Sequence, residues 1–392
     1  MNPKKNGISR NTKILGISSF LTDLSSEMIF PLLPFFLTAI LGAPILVIGV
    51  MESLSESVVA LTSIISGFYS SRTGKKKNII IAGYSLSAVF KAFLVIVTSW
   101  QQVVGLRVLE RIGKGMRDSP RDALIGMSEN KQTLGKAFGL RKFLDNAGAV
   151  LGPLAAAIFI ALFFGNEHID ESYRFVFLVA LVPAVLSVVV LLLVKDKPSK
   201  KETPKIVLKN LLSNVKLRNF AIVMAVLYLG NFSAMFFLIR ADEFITLLLI
   251  PISYMIFNVS YTLFSMPSGI MADKLGPKKS LFFSMLLFLI ALIGFAFYPS
   301  PAVLFLMFVV LGWFMAIVET APQVFLINHT SKTNYASAIG SYKGITGLAA
   351  LPANLFAGFL WTVTVFSVPA TFVFSIATTV IAMVLLLVIV RD

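Results

Sequence analysis

Twelve long apolar runs, separated by short polar segments, follow one another along the chain. Each contains about 20 residues or more, the length that a helix needs to cross the hydrocarbon core of a bilayer. The runs cover residues 14–41, 45–70, 78–98, 101–127, 133–164, 173–194, 217–243, 247–272, 280–298, 301–328, 335–361 and 366–390. A segment in lipid must satisfy its own backbone hydrogen bonds, so each run is expected to form a helix. The pattern predicts an all-α integral membrane protein with twelve transmembrane helices.

One polar segment divides these runs into two sets of six. Residues 195–216 are rich in lysine and contain Pro198 and Pro204. We therefore predict an N-terminal six-helix bundle over residues 1–194, a cytoplasmic linker over 195–216, and a C-terminal six-helix bundle over 217–392.

Two polar loops with the same arrangement lie 202 positions apart, in equivalent places of the two halves. The first runs from Gly67 to Lys77 and the second from Gly269 to Lys279. Each begins with glycine, has a second glycine seven residues later, and ends in a cluster of lysines. An internal repeat of this length in an apolar chain is typical of secondary transporters built from two like bundles. The two predicted bundles should therefore be pseudo-symmetric.

Composition excludes most other classes of protein. Apolar residues make up 57% of the 392 residues and charged residues 14%, whereas soluble domains average about 45–50% and about 25%. The chain has no cysteine, and its two histidines, His168 and His329, lie in different halves. Disulfides and thiolate metal sites are thus excluded. No catalytic nucleophile, metal cluster or phosphate-binding loop is recognisable, so neither an enzyme nor a bound metal or cofactor is predicted.

The net charge of +15 is explained by where the basic residues lie. They cluster in alternate loops and in the segment 195–216, while the opposite loops, such as 42–44, 98–102 and 298–301, contain no lysine or arginine. Cytoplasmic loops carry such an excess in membrane proteins. We therefore predict a multi-pass protein of the cell (inner) membrane with both termini in the cytoplasm, and no binding of nucleic acid.

At these loops the sequence resembles the major facilitator superfamily, and the resemblance extends over the whole chain. The loop glycines match its signature between helices 2 and 3 and between helices 8 and 9. The fifth run is similar to the antiporter signature of the family's drug:proton exporters, although two alanines stand where that signature ends in glycines. The loop residues are Gly67, Arg72, Gly74, Gly269, Asp273 and Gly276, and the residues of the fifth run are Gly139, Gly148, Gly152 and Pro153.

The resemblance implies a twelve-helix fold, alternating access and gating by the two loops. In the family, a carboxylate in each loop latches the cytoplasmic side by facing a helix N-terminus, which favours an anion. Asp273 retains this carboxylate in the second loop, whereas Ser71 replaces it in the first. We therefore expect Asp273 to matter more to the conformational cycle than Ser71. The resemblance also favours a monomer.

Charged residues inside the predicted spans are the candidates for transport chemistry, because a charge at mid-bilayer is costly and normally faces a partner or a water-filled path. Asp23 and Glu27 share one face of the first span. Counted inward at ~1.5 Å per residue, Asp23 lies level with Arg117 and Glu27 with Lys114 of the fourth span. Arg111 belongs to the same charged stripe of that span, and Arg141 of the fifth span lies at a similar depth.

The repeat singles out further charges in the second half. Under the 202-residue offset Arg117 corresponds to Glu319, the one ionisable residue deep in the tenth span, and Lys343 stands alone in the eleventh. Such isolated charges need a partner across the bundle or a ligand. A permanent Glu319–Lys343 pair is the structural alternative. Glu52 and Lys91, at matching depths on the second and third spans, are predicted to form a structural ion pair.

These features predict a secondary active transporter that moves a small organic solute, with proton-coupled export as the favoured mode. The partners expected are therefore a small-molecule substrate, protons and the lipid bilayer. Arg111, Lys114, Arg117 and Lys343 would instead suit uptake of an organic anion or a metal chelate by proton symport. A membrane scaffold or sensor that transports nothing is the alternative from another class.

Overall fold

The computed structural model is almost entirely helical and describes residues 7–130, 133–163, 169–196, 214–329, 335–365 and 368–390. Its spanning helices, here numbered α1 to α12, correspond one to one with the predicted runs. The first six are α1 (Arg10–Ile29), α2 (Ile45–Thr73), α3 (Lys76–Phe93), α4 (Trp100–Ser128), α5 (Leu134–Phe163) and α6 (Ile169–Leu191).

The second six are α7, in two parts (Val215–Gly230 and Ala234–Asp242), α8 (Leu249–Leu275), α9 (Pro277–Phe297), α10 (Pro301–Asn328), α11 (Tyr335–Leu360) and α12 (Ala370–Ile389). Among the described residues, ten spans are long and apolar enough to cross a membrane. The remaining two are α4, which is charged along its length, and α11, whose apolar portion is Thr346–Leu360. The twelve-helix prediction is confirmed.

The ends of the helices follow local sequence signals. Ser9 caps α1 by accepting a hydrogen bond from the backbone N–H of Thr12. Pro31 and Pro34 follow α1, and the chain continues there through a helical turn at Leu33–Phe35 and a π-helical turn at Phe36–Ile40. Proline lacks a backbone N–H and interrupts the regular ladder. A short antiparallel pair, β1 (Thr364–Val365) and β2 (Val368–Pro369), precedes α12.

The two signature loops share one backbone feature. Gly74 ends the loop after α2 at a φ of 74°, and Gly276 ends the equivalent loop after α8 at a φ of 85°. Residues other than glycine rarely adopt positive φ. Pro277 then occupies the first position of α9, where its fixed φ favours helix initiation. The sequence repeat is therefore also a repeat of backbone conformation.

The chain divides into two compact units. The first consists of Met1–Gly42 with Val58–Pro204, and the second of Ala43–Ser57 with Lys205–Asp392. The continuous helix α2 thus contributes its first turns to the second unit. The predicted linker 195–216 falls mostly outside the described residues, and the predicted domain limits stay a prediction.

The same helix pairs form inside each unit. In the first, α1 packs on α5 and α6, and α3 packs on α4 and α6; in the second, α7 packs on α11 and α12, and α9 packs on α10 and α12. Large apolar side chains such as Leu162, Val182 and Leu263 stay exposed on the outer faces. In a membrane protein such faces contact lipid, so each unit keeps its polar side chains for its interior.

Candidate functional site

The charged stripe of α4 lies inside the first unit, and much of it is buried. Arg107, Glu110, Arg111, Arg117 and Arg121 are all at most 9% exposed. Arg107 pairs with Glu110 at 2.8 Å, and the Nε atom of Arg111 lies 4.0 Å from the same carboxylate. Neighbouring turns of one helix therefore neutralise part of this charge.

Arg117, further along α4, contacts helix α3. Arg117 lies level with Asp23 by residue count, but its guanidinium donates to the Ser87 hydroxyl on α3 at 2.7 Å. It also lies 4.5 Å from the ring centroid of Tyr84, within the range of a cation–π contact. Arg117 is thus held by α3. Residue count predicts the depth of a side chain along its helix but not its direction around the helix.

Arg141 of α5 sits in a network of carboxylates. Its guanidinium contacts Asp122 of α4 and pairs with Asp145 one turn along α5 at 3.0 Å. Arg121 also contacts Asp122, at 3.2 Å, and Asp118 at the same distance. This network ties the cytoplasmic half of α4, as predicted from the topology, to α5.

The acidic residues of α1 lie where that helix meets α5. Asp23 is close enough to Asp145, Lys114, Glu27 and Arg117 to interact with each of them electrostatically. No hydrogen bond or ion pair of Asp23 occurs among the described residues, whereas the buried Arg107 and Arg121 and the half-buried Arg141 have carboxylate partners. A half-buried carboxylate beside both a cation and other carboxylates is well placed to change protonation when its neighbours move.

Two glycines of the antiporter-like segment make this close contact possible. A Cβ atom at Gly148 would lie 2.7 Å from the Phe20 carbonyl oxygen and 3.1 Å from the Cβ of Asp23; one at Gly152 would lie 2.8 Å from the Cβ of Glu27. By contrast, a Cβ at Gly139 would meet nothing within 4 Å. Pro153 lies inside α5. Gly148 and Gly152 therefore let the backbone of α5 touch α1 at the two acidic residues.

Glu52 and Lys91, predicted to form an ion pair, belong to different units, and each has a hydrogen-bond partner within its own unit. The Lys91 ammonium donates to the hydroxyls of Ser25 and Ser26 on α1, at 3.2 and 2.7 Å. Glu52 accepts from the Ser233 hydroxyl at 2.8 Å. Matching depth on consecutive helices again fails to specify which neighbour a side chain faces.

In the second unit, Glu319 lies on α10 and accepts a hydrogen bond from the Tyr261 hydroxyl on α8. Its predicted partner Lys343 lies on α11, but the side chain of Lys343 is outside the described residues. Six residues before Glu319, the Trp313 ring stacks on Phe264 at 4.5 Å between centroids and meets Phe283 edge-on at 5.3 Å. No pattern in the sequence pointed to this aromatic group, since phenylalanine occurs throughout the apolar runs.

The signature loops contain exposed charges. Arg72 and Asp273 are both exposed, at the ends of α2 and α8. A Cβ at Gly67 would lie 3.2 Å from the Cβ of Ser119 on α4, whereas one at Gly269 would lie in open space. Close packing therefore explains Gly67, and positive φ explains Gly74 and Gly276. The roles of Arg72, Gly269 and Asp273 as gating residues stay predictions.

The described portion of the chain contains no candidate metal-binding site. No group of three or more histidine, aspartate or glutamate residues there could hold a metal ion. The polar chemistry of both units consists instead of carboxylates, guanidinium groups and hydroxyls on packed helices.

Comparison with known sequences identifies the family of the chain. A sequence profile of the Major Facilitator Superfamily matches residues 15–256 and again 220–392. The chain belongs to this superfamily. Over 390 residues it is 36% identical to an uncharacterised MFS-type transporter of Methanocaldococcus jannaschii, which covers 97% of this chain and 95% of that protein. A shorter match, over 136 residues, is 30% identical to the multidrug resistance protein MdtH of Photorhabdus laumondii and covers 35% of this chain and 34% of MdtH.

Solved structures of Major Facilitator Superfamily proteins have the same fold. The nucleoside transporter NupG aligns with a TM-score of 0.78 at 15% identity, over 96% of this chain and 98% of NupG. A bacterial homologue of the human lysosomal transporter Spinster, in an inward-facing and occupied conformation, also aligns at 0.78, with 14% identity over 96% and 95% of the two chains. The chain is thus a multi-pass membrane protein of a transporter superfamily.

Proposed function

We propose that this protein exports a small organic solute in exchange for protons. The observation that carries the proposal is the contact between α1 and α5, where Gly148 and Gly152 pack directly against Asp23 and Glu27. A helix-packing motif similar to that of proton-coupled exporters thus adjoins the carboxylates that are best placed to carry a proton. Membership of a transporter superfamily supports solute transport, while the direction and the coupling ion belong to the proposal.

The chemistry proposed for these carboxylates follows from their surroundings. A carboxylate in an apolar span binds a proton more readily when no cation faces it, and releases that proton when a cation approaches. Lys114 and Arg117 are the cations within electrostatic range of Asp23. A shift of α4 relative to α1 would change these distances and therefore change the protonation of Asp23 and Glu27. Proton release and uptake would in this way follow the transport cycle.

The direction of transport rests on similarity. The partial match to MdtH, whose name describes multidrug resistance, favours export. We further propose that the protein lies in the cell membrane with both termini in the cytoplasm, because basic residues lie in alternate loops. The superfamily also favours a monomer, which belongs to the same proposal.

The proposal can be tested before the natural substrate is identified. Purified protein is reconstituted into liposomes that contain the pH-sensitive dye pyranine, and ethidium or fluorescein is added outside. Exchange of ethidium for protons should change the internal pH in a manner that saturates with ethidium concentration and is absent from protein-free liposomes. Absence of any proton movement with ethidium, under an imposed gradient of either direction, would contradict proton-coupled export of organic cations.

Uptake of an organic anion is the second candidate, because buried arginines outnumber buried carboxylates on α4. Arg107, Arg111, Arg117 and Arg121 are buried there with Glu110 as the one buried carboxylate among the described residues of that helix. Proton movement with fluorescein and none with ethidium would favour this alternative. Thermal stabilisation by a solute that no assay shows to be transported would favour a scaffold or sensor.

A further inference from the structure

The seventh span is broken in the middle. The first part ends at Gly230 and the second begins at Ala234, and residues 231–233 between them are not helical. Ser233 caps the second part by accepting from the backbone N–H of Met235 at 3.3 Å, and its own N–H donates to the Asn354 side chain of α11 at 2.7 Å. Discontinuous spans of this kind expose backbone and side-chain polar groups, and transporters use them to bind coupling ions.

The first turns of α2 are packed closely against α11 beside this break. A Cβ at Gly49 would collide with the Asn354 carbonyl oxygen, and one at Gly358 would lie 3.0 Å from the Cα of Leu46. The Ser53 hydroxyl donates to the Leu351 carbonyl at 2.7 Å. These contacts all lie within the second unit. They hold α2 in one orientation, so the side chain that points from it toward the break is positioned by the backbone.

That side chain is Glu52. It is 4% exposed, and its Oε2 atom accepts from the Ser233 hydroxyl. Its Oε1 atom is inaccessible and has no hydrogen-bond partner in the described part of the chain. An ionised carboxylate can accept about four hydrogen bonds, and leaving one of its oxygens buried without a donor is costly.

No cation compensates this carboxylate among the described residues of the elements around it. The other ionisable residue of these turns of α2, Glu56, is acidic and exposed. On α7, Arg240 is bound to Glu243 and to the carbonyls of Phe295 and Ala296. On α10, Glu319 adds a further negative charge and is bound by Tyr261.

Other titratable groups on these helices include Tyr228 of α7, Tyr342 of α11, and Lys343 of α11, whose side chain is not described. Lys216, Arg218 and Asp242 lie near the two ends of α7, away from the break. Lys343 lies eleven residues from Asn354 along α11, which corresponds to about 16 Å at the helical rise. Among the described residues, this site therefore offers Glu52 a hydroxyl donor and an amide neighbour but no ion-pair partner.

We propose that Glu52 binds a proton at the break in α7 and forms a second proton-coupling position, separate from the one on α1. Among the described residues, no cation faces this buried carboxylate. Protonation converts it into a neutral carboxyl group, which removes the cost of the uncompensated charge. A divalent metal ion fits poorly, because Mg²⁺ prefers six oxygen ligands and the side chains that meet here are Glu52, Ser233 and Asn354. The binding of the proton stands alone, whereas its coupling to transport rests on the proposed function.

Infrared spectroscopy of the purified full-length protein tests the proton directly, because a protonated carboxyl group absorbs apart from a carboxylate. The wild-type protein near neutral pH should show a protonated-carboxyl component that Glu52→Gln removes. Glutamine keeps an acceptor for Ser233, so the variant should fold. Glu56→Gln is the matched control, the same change one turn along α2 at an exposed position, and should leave the component intact. A spectrum of Glu52→Gln with the component unchanged would overturn the proposal.

Two further measurements distinguish a bound proton from a bound sodium ion. Ser233→Ala removes the hydroxyl that donates to Oε2, and the protonated-carboxyl component should remain, because the proposed proton is bound by Glu52 itself. If replacing choline chloride with sodium chloride abolishes the component, Na⁺ rather than a proton is the bound ion, and the assignment is overturned. Neither measurement requires a substrate, so they can fail while the proposed transport function holds.

Coupling is tested afterwards in the pyranine-loaded liposomes. Glu52→Gln should lose proton movement driven by the transported solute while retaining exchange of labelled for unlabelled solute. A variant that lacks the infrared component but transports like the wild-type protein would show that Glu52 binds a proton without coupling it, and would overturn that part of the proposal.

Discussion

At the scale of single residues, charges inside the spans differ in whether their own helix neutralises them. Arg107 and Glu110 form an ion pair one turn apart on α4, so their charges compensate each other within one helix. Asp23 and Glu52 instead lie where helices meet, and no ion pair of either occurs among the described residues. Removing one partner of a buried ion pair typically costs about 3–5 kcal/mol. We therefore expect substitutions at Arg107 or Glu110 to impair folding, and isosteric substitutions on α1 to impair function first.

Glu27→Gln should abolish transport driven by a proton gradient but spare exchange of the solute. Glutamine has nearly the shape of glutamate, and exchange requires no net proton movement. Asp23→Asn should behave in the same way. Both activities can be measured in liposomes with the solute that the pyranine assay identifies, and the yield of folded protein by gel filtration shows whether stability is preserved. Full gradient-driven transport in both variants would place the coupling carboxylate elsewhere, with Glu319 next to be tested.

The sequence predicts the depth of these residues along their helices but not the direction in which their side chains point. Helical rise gave the depth of Arg117 and of Lys91, since every residue advances a helix by ~1.5 Å. The direction of a side chain around the helix depends on tertiary packing, so neither the contact of Arg117 with Ser87 nor that of Lys91 with Ser26 could be deduced.

At the scale of helices, small residues decide which surfaces can meet. Gly148 and Gly152 belong to the antiporter-like motif, and α1 contacts α5 at backbone distance at these two glycines. Gly139, in the same motif, has open space around it. A motif match alone could not distinguish a packing glycine from one without close neighbours, because the distinction depends on the partner helix.

Alanine substitutions at two glycines of α5 should therefore have opposite effects on stability. Gly152→Ala places a Cβ 2.8 Å from both the Leu24 carbonyl oxygen and the Glu27 Cβ, so α1 and α5 must move apart and the thermal unfolding temperature should fall. Gly139→Ala meets nothing, and alanine favours a helix by about 1 kcal/mol over glycine, so stability should be unchanged or rise. Thermal unfolding in detergent measures both, and an equal loss in the two variants would contradict this account of the contact.

A second contact between elements fixes the N-terminus of α1. Glu129, between α4 and α5, accepts from the Ser9 backbone N–H and the Thr12 hydroxyl with one oxygen, and from the Thr133 hydroxyl with the other. Asn11 meanwhile exchanges two hydrogen bonds with the backbone of Lys195 beyond α6. These contacts join the ends of α1, α4, α5 and α6 on one side of the first unit.

The Glu129 contact predicts a pH dependence of stability. Burial by itself raises the pKa of Glu129, but the hydrogen bonds from Thr12, Thr133 and Ser9 outweigh it and lower the pKa below its ordinary value. The folded protein then favours the ionised form, so Glu129 stabilises the fold above the ordinary glutamate pKa, and this contribution is lost as the pH falls through the lowered value. Glu129→Gln should reduce stability near neutral pH and flatten its decline in acid. Glu171→Gln, at an exposed position in the first turn of α6, should change neither.

At the scale of the whole molecule, the length of the apolar runs was sufficient to predict twelve helices, because a segment that spans lipid can adopt few other structures. It did not predict the interruption of α7 at residues 231–233, although Gly230, Asn231 and Ser233 are residue types that favour turns and helix caps. It also did not predict that Ala43–Ser57 joins the second unit. Both features depend on partners from distant parts of the chain, such as Asn354, which hydropathy along the sequence does not reveal.

The orientation of the whole molecule in the membrane gives the last prediction. Lysines and arginines fill the loops after α2 and α8, whereas the loops after α3 and α9 have none, and cytoplasmic loops carry this excess. The chain contains no cysteine, so single cysteines can be introduced without background. Lys75→Cys and Lys274→Cys, both at exposed positions, should react with a membrane-impermeant maleimide only in inside-out vesicles. Thr98→Cys and Ser300→Cys, also exposed, should react only in intact cells. Labelling of Lys75→Cys in intact cells would overturn the predicted topology.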